Sequence, residues 1–468
     1  MTKIRFIILI WLIAFFINSA AKAQNKIEVD LLLGGEYIVT IDDKLPIIRD
    51  GVVAVRDGRI LAIGSREKIT SGYVAPHILP GDGMVLMPGL INGHTHAAMT
   101  LFRGLADDKA LMDWLHNYIF PAESRFVDTG FVRVGTQLAC LEMIRGGTTT
   151  FVDMYFYPDT IAEVTEKCGL RAIIAAAVID FPSPGFKGWD DSFAAAKLFI
   201  QKWKNHNLIT PTIGPHAVYT VAPEHIIQVD KVARRNDVPI VIHVSETKNE
   251  VNDIKKRYGK RPMEHLNSLG VLNSNMIAAH MVWPDLNEIK LLAKQGVGVV
   301  HNPSSNLKLA SGFAPIHTML KHGIKIGLGT DVAASNNDLD MWQEINMTAL
   351  IHKGNLLDPT VLPAKTVLRM ATLGGAEAIE LGQEIGAITS GRRADLIQVR
   401  IGNNAHSLPI YNIISHLVYS VKSTDVVNVV VNGKFLMRDR NVLTIDRNKV
   451  TKEAKQLSMK IATANHRL

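Results

Sequence analysis

Short apolar runs recur along this chain at the spacing of alternating strands and helices. From Met84 onward, strand-like runs fall at Met84–Ile91, Thr148–Met154, Leu170–Ile179, Thr210–Pro215, Pro239–Val244, Met276–Val282, Gly296–Val300 and Lys325–Gly329. Each is short, β-branched and followed by a polar stretch. Segments between them, such as FVRVGTQLACLEMIRGG, SFAAAKLFIQKWKNH and DLNEIKLLAKQG, place apolar residues three and four apart, which is the helical period. Eight strands with intervening helices predict a (β/α)8 barrel over residues 86–385. Upstream, over 24–85, IEVDLLLGGEYIVTID and DGVVAVRDGRILAIG alternate apolar and polar residues around Asp-Gly turns, the pattern of hairpins. Helical patterning runs from Ala364 to Leu381. Over 386–447, ADLIQVR, LVYSVKSTDVVNVVVNGKFLMRD and VLTID read as strands again, and residues 448–468 as a closing helix. The β material at the two ends is expected to pair into one small β-sandwich domain.

The chain has 468 residues, 47% of them hydrophobic, enough for a large core with an appended domain. Its first residues, MTKIRFIILIWLIAFFINSAAKAQ, combine a basic start, an apolar run from Phe6 to Ile17 and the small-residue site Ala21-Lys22-Ala23. That is the pattern of an export signal over about 1–23, and the run is shorter than the roughly 20 residues a membrane span needs. The mature protein is therefore expected to be periplasmic or secreted, with no stable membrane span. Loss of Lys3, Arg5 and Lys22 with the signal lowers the formal charge from +7 to +4. The excess is mild and unclustered, so nucleic acid is not an expected partner. A small-molecule substrate is, and a homo-oligomer is compatible with the sequence. Cys140 and Cys168, the only cysteines, read as buried free thiols rather than metal ligands.

The polar residues that interrupt the pattern fall at the ends of the strand-like runs. His94 and His96 follow MVLMPGLI two apart, so strand geometry turns both imidazoles to one face. His243 and Glu246 end VPIVIHVSE, His280 ends MIAAH, and Asp331 ends KIGLGTD. A barrel gathers such ends at one mouth. His94, His96, His243 and Asp331 supply the nitrogen and oxygen donors of one divalent ion, Zn2+ first and Fe2+ as the alternative. Such an ion acidifies water, and Asp331 can also accept that water's proton. Glu246 suits a proton shuttle to a ring nitrogen and a leaving amine, and His280 a hydrogen bond to the attacking oxygen. Glu246 competes with a plain helix-start carboxylate, and Asp331 with a helix N-cap. His216, ending TIGPHAVYT, and Glu123, in PAESRF, are candidate substrate contacts alongside Glu246 and Asp331. His301 is open between loop anchor and site wall. Trp114 and Phe102 could pack a base, yet aromatics at helical spacing are more often core.

The segments PGLINGHTHAAMTLFRG, GTTTFVDMYF, GPHAVYT, HVSET, VVHNPSSNLKLASGFAPI and GTDVAASNNDLDMWQE together resemble the amidohydrolase superfamily. Within it they resemble the 5′-methylthioadenosine/S-adenosylhomocysteine deaminases and related chlorohydrolases. The resemblance implies metal binding at His94, His96, His243 and Asp331, substrate contacts at Glu123, His216 and Glu246, and hydrolytic release of ammonia from an amino-purine nucleoside or related heterocycle. Such deaminases typically carry arginine in the loop after the third barrel strand; here VIDFPSPGFKGWDDS offers Lys187 and Trp189 and no arginine. Two alternatives stand beside this reading: an exported amidohydrolase acting on a cyclic amide or halogenated ring, and a non-catalytic periplasmic binding protein.

Overall fold

The structure, a computed structural model, describes residues 26–402 and 405–465, so the export signal read in residues 1–23 lies outside the described residues. β1 (Leu31–Val39), β2 (Ile47–Arg56), β3 (Arg59–Ser65) and β4 (Met84–Pro88) belong to one sheet. Asp57 and Gly58, at φ 53° and 72°, turn β2 into β3 as a primed hairpin turn requires. The other Asp-Gly pair does not turn the chain: Asp50 and Gly51 lie inside β2, with Gly51 opposite Gly35 of β1.

The run Met84–Ile91, expected as the first barrel strand, is two strands in two sheets. β4 stops at Pro88, and β5 (Leu90–Thr95) opens the barrel. Between them, a Cβ on Gly89 would stand 2.1 Å from the Thr149 hydroxyl, so the crossing admits only glycine. The barrel continues through β6 (Thr148–Tyr155), β7 (Arg171–Val178), β8 (Ile209–Pro215), β9 (Ile240–Val244), β10 (Met276–His280), β11 (Gly298–His301) and β12 (Ile326–Leu328), each parallel to the one before. β5, β6 and β9 are buried at every position, as expected of strands with helices outside and a packed interior within. Ile91, Val152, Ile173, Val241, Ile277 and Val300 form that interior.

The first and last strands meet through few backbone bonds. Thr95 and Asp331 form a parallel bridge, and the Asp331 amide donates to the His94 carbonyl at 2.9 Å. Below it the Asn92 side chain donates to the Thr330 hydroxyl at 2.7 Å and accepts from the Thr330 amide at 3.0 Å.

β13 (Leu396–Arg400), β14 (Val426–Val431) and β15 (Lys434–Arg438) return to the first sheet. β13 lies antiparallel to β4, with Leu396 opposite Pro88, so both chain ends share one small domain. Its core contains Leu31, Val53, Leu86, Leu396 and Val430. Part of LVYSVKSTDVV is helical: Ile413–Tyr419 is a helix capped by Asn412, burying Leu417 and Val418. Of VLTID only Val442 is in a strand, the short Asn441–Val442, and Ala364–Leu381 is two helices, Ala364–Met370 and Leu373–Ala378. At the start of β7, buried Arg171 meets Asp395 through contacts of 2.7 and 3.2 Å, and Asp395 also accepts from the Asn432 amide. These added bonds are what a buried ion pair needs to offset desolvation. Cys140 and Cys168 are buried and unbridged.

Glu344, on the helix Met341–Leu356, is fully buried and accepts from the Ser304 amide at 3.2 Å and Asn336 Nδ2 at 2.8 Å. Burial, with Asp338 nearby, pushes its carboxyl up to about 8 against the bonds from Ser304 and Asn336. A raised carboxyl keeps its proton in the folded protein where the unfolded chain has lost it, so its contribution to stability falls as pH rises from about 4.5 to about 8. Thermal melts across that range should show a steeper decline for the native protein than for Glu344→Gln. Parallel curves would show that Glu344 is ionised throughout.

Candidate active site

The strand ends bring the expected residues together. His94 Nε2 lies 3.1 Å and His96 Nε2 3.3 Å from His243 Nε2, and Asp331 Oδ1 lies 3.3 and 3.4 Å from the first two. All four donor atoms fall within 4.8 Å of one another. Four ligands at the zinc bond length of about 2.0–2.1 Å stand about 3.3 Å apart along the edges of a tetrahedron. The residues present therefore fit a single divalent ion.

The far side of two imidazoles fixes their orientation. His96 Nδ1 donates to the Met154 carbonyl at 2.5 Å, and His243 Nδ1 to the His216 carbonyl at 2.6 Å. Both bonds hold the proton on Nδ1 and leave the Nε2 lone pair facing the ion. Burial, reinforced by the other imidazoles, holds His243 well below the usual histidine range, and burial brings His94 down to about 4 despite Asp331. Burial would raise Asp331, but His94 and His96 win and keep it well below the carboxylate range. Asp331 is not a helix cap: Val332 occupies that position, while Asp331 Oδ2 accepts from Ser305 Oγ at 2.7 Å and Ser335 Oγ at 3.2 Å.

Above these donors lies a cavity lined by His96, His216, His243, Glu123, Glu246, His280 and Asp331 among apolar and aromatic side chains. His280 Nε2 stands 3.8 Å from Glu246 Oε2, and its Nδ1 donates to Asn306 Oδ1 at 2.9 Å. Burial would lower His280, yet Glu246 and Asp331 raise it; burial raises Glu246. Glu123 is no surface carboxylate. It is 5% exposed, and burial pushes it up to about 7 while Tyr155 and His96 pull the other way. His216, lowered to about 3 by burial and the neighbouring imidazoles, has its Nδ1 3.0 Å from Thr220 Oγ1. Three residues around the mouth adopt left-handed backbone: Ser245 at φ 53°, His280 at 75° and Asp331 at 59°. Such conformations are held only where the surroundings over-determine them.

His301 is a loop anchor rather than a site wall: it is buried with Nε2 3.2 Å from His352 Nε2. Trp114 lines the cavity, whereas Phe102 packs on Phe131 in the core. Trp189 is stacked on His225.

Two supporting carboxylates escape a reading by strand ends. Asp153, in FVDMY on β6, accepts from the Ala97 amide at 2.5 Å and Thr95 Oγ1 at 3.2 Å, fastening the chain around His96. Glu250, four residues after Glu246, accepts from the Ser245 and Glu246 amides at 2.7 Å each. It is Glu250 that occupies the first turn of the helix Lys248–Tyr258.

A His3Asp group at the C-terminal mouth of a parallel barrel defines a metal-dependent hydrolase of the β/α-barrel class. The pattern described as "Amidohydrolase family" matches residues 85–436. A 5-methylthioadenosine/S-adenosylhomocysteine deaminase of Syntrophobacter fumaroxidans is 44% identical over 434 residues, covering 93% of this chain and 99% of its own. A 5′-deoxyadenosine deaminase of Methanosarcina barkeri is 42% identical, covering 93% and 99%. The crystal structure of an adenosine deaminase from Xanthomonas campestris with bound zinc superposes with a TM-score of 0.92 at 38% identity, covering 94% of this chain and 100% of that one. This chain belongs to the amidohydrolase family and is a hydrolase acting on carbon–nitrogen bonds.

Glu250→Ala removes the acceptor of two amides without touching a metal donor. It should retain one ion per chain by elemental analysis and lose about 10²-fold in kcat, because Glu246 is no longer held in place. Loss of the ion along with activity would show instead that Glu250 supports the metal group.

Proposed function

We propose that the protein is a zinc-dependent hydrolytic deaminase of amino-purine nucleosides of the adenosine, methylthioadenosine and S-adenosylhomocysteine type, releasing ammonia. The observation that carries this reading is the pairing of Glu246 with His280, 3.8 Å apart, in the same cavity wall as the metal donors His96, His243 and Asp331. A cavity of apolar and aromatic side chains with a few convergent polar groups suits a nucleoside, and the deaminase relatives and the zinc-bound neighbour support both reaction and metal.

Zinc held by His94, His96, His243 and Asp331 supplies Lewis acidity that lowers the pKa of water towards neutrality. Asp331 accepts one proton of the attacking water as its oxygen bonds to the amino-bearing ring carbon. Glu246, biased by burial toward its protonated form, gives a proton to the adjacent ring nitrogen. His280, raised by Glu246 and Asp331 toward its doubly protonated form, donates from Nδ1 to Asn306 and directs Nε2–H at the oxygen. The proton on Asp331 then passes to the amine, the carbon–nitrogen bond breaks, and ammonia leaves. The remaining hydroxyl proton returns to Glu246, leaving a ring carbonyl. Glu123 and His216 offer a carboxyl and an imidazole to the sugar.

Zinc-loaded protein should release ammonia from adenosine, methylthioadenosine or S-adenosylhomocysteine, and Glu246→Gln should keep the metal while losing about 10²-fold or more of that rate. Silence across those nucleosides together with turnover of a cyclic amide would overturn the reading. Export is supported by the basic and apolar pattern of residues 1–23. N-terminal sequencing of protein from the cell envelope and culture medium should begin near Gln24; an intact Met1 terminus in the cytoplasm would count against export.

A further inference from the structure

Beyond Glu123 the metal cavity opens into a groove; Phe120, Glu123, Phe156 and Ile179 line both. The outer groove adds Val127, Tyr157 and the segment Phe181–Gly185, the loop after the third barrel strand. This loop is pinned. Ser183 and Phe186 exchange backbone hydrogen bonds of 3.1 and 2.9 Å, closing a tight turn at Pro184-Gly185. A Cβ on Gly185, whose φ is 85°, would stand 3.0 Å from the Tyr157 ring. Phe181 meets Phe120 edge-on at 5.8 Å. The groove wall is thus built before any ligand arrives, and Phe181 leaves 38% of its surface in water.

The charge of the wall selects among tails. Among the described residues lining the groove there is no lysine, arginine or histidine, and the one ionisable carboxyl is Glu123, at the inner end. A carboxylate tail entering here would find no cation in the wall, only the hydroxyls of Ser124, Tyr157 and Ser183, and would share the groove with another carboxyl. A thioether or alkyl tail would instead bury apolar surface and set sulfur against aromatic edges.

We propose that the groove formed by Phe120, Phe156, Tyr157, Ile179 and Phe181 is a subsite for uncharged apolar 5′-substituents. The enzyme then favours 5′-alkylthio and 5′-arylthio adenosines over the homocysteine thioether with its amino-acid tail. The inference rests on the nucleoside reading given under Proposed function. Its breadth follows from the lining: the wall continues from Phe120 and Ile179 through Tyr157 to Phe181, offering apolar surface to butylthio and phenylthio tails as well as to methylthio.

The test is a series of kcat/KM values for adenosine, 5′-deoxyadenosine, and the 5′-methylthio, 5′-butylthio and 5′-phenylthio derivatives, with S-adenosylhomocysteine as the charged member. Butylthio is expected to match or exceed methylthio, with S-adenosylhomocysteine at least about 10²-fold below both. Phe181→Arg should raise S-adenosylhomocysteine relative to butylthio by about 10-fold or more, whereas Phe181→Ala should weaken the thioethers without that gain. S-adenosylhomocysteine turned over as well as butylthio by the native enzyme would overturn the subsite. If no nucleoside in the series is deaminated, it is the proposed function that fails. Calorimetric binding of the same series to zinc-loaded protein then decides the groove: tighter butylthio upholds it, and equal or tighter S-adenosylhomocysteine overturns it.

Discussion

Closure of the barrel between β5 and β12 is the constraint on which the site depends. Regular parallel ladders join β6 to β8 and β9 to β12, but here a bridge at Thr95 and Asp331, the bond from the Asp331 amide to the His94 carbonyl, and the Asn92 side chain on Thr330 share the work. Two metal donors are therefore also the two ends of the seam. Anything that shifts β12 against β5 moves Asp331 against His94, and the imidazole of His94 is fully buried with no room to follow. Ser305, on the helix Pro303–Lys308 after β11, donates to the second oxygen of Asp331 and ties the seventh strand end into the same arrangement.

Burial governs the electrostatics of the mouth. Removed from water, a carboxyl keeps its proton and an imidazole loses one, and Glu123, Glu246, His94, His216 and His243 all move in those directions. Asp331 departs from the trend because two imidazoles face it, and His280 because Glu246 and Asp331 do. The result is a division of labour within a few ångströms: His94 and His243 biased toward neutral imidazoles, Asp331 an ionised carboxylate beside them, and Glu246 a protonatable carboxyl opposite. One cation at the convergence of the four donors satisfies groups that hydrogen bonds alone cannot.

Most of this was legible because chemistry interrupts pattern. A histidine or aspartate at the end of a β-branched run stands out, and a parallel barrel gathers all such ends on one face. The exchange of sheets at Gly89 was not legible, since MVLMPGLI is equally apolar on both sides of the glycine and period-two patterning does not say which sheet a strand joins. The helix Ile413–Tyr419 was misread because its Ile, Leu, Val and Tyr favour strands, and tertiary packing overrides that preference. Asp153 lies inside a strand rather than at its end, and Glu250 sits in the first turn of a helix, where acidic residues are common. Their importance lies in which backbone amides they reach, which only three-dimensional placement reveals. The burial of Glu123 was hidden for the same reason: the short helix Phe120–Phe126 carries no periodic pattern long enough to declare its inner face.

The Arg171–Asp395 pair joins the small sheet to the barrel at the start of β7, and Gly89 joins them at the start of β5, so the sheet made from both chain ends is anchored at the end of the strands opposite the mouth. The left-handed residues Ser245, His280 and Asp331 sit at the other end of the strands. Rigidity and reactivity are thus carried by opposite faces of one molecule. Substitutions that harden the protein against heat have a place to act, the interface around Asp395, that is remote from the strained residues on which turnover depends. Thermal tolerance and substrate preference are separately adjustable in this architecture, without the usual conflict between them.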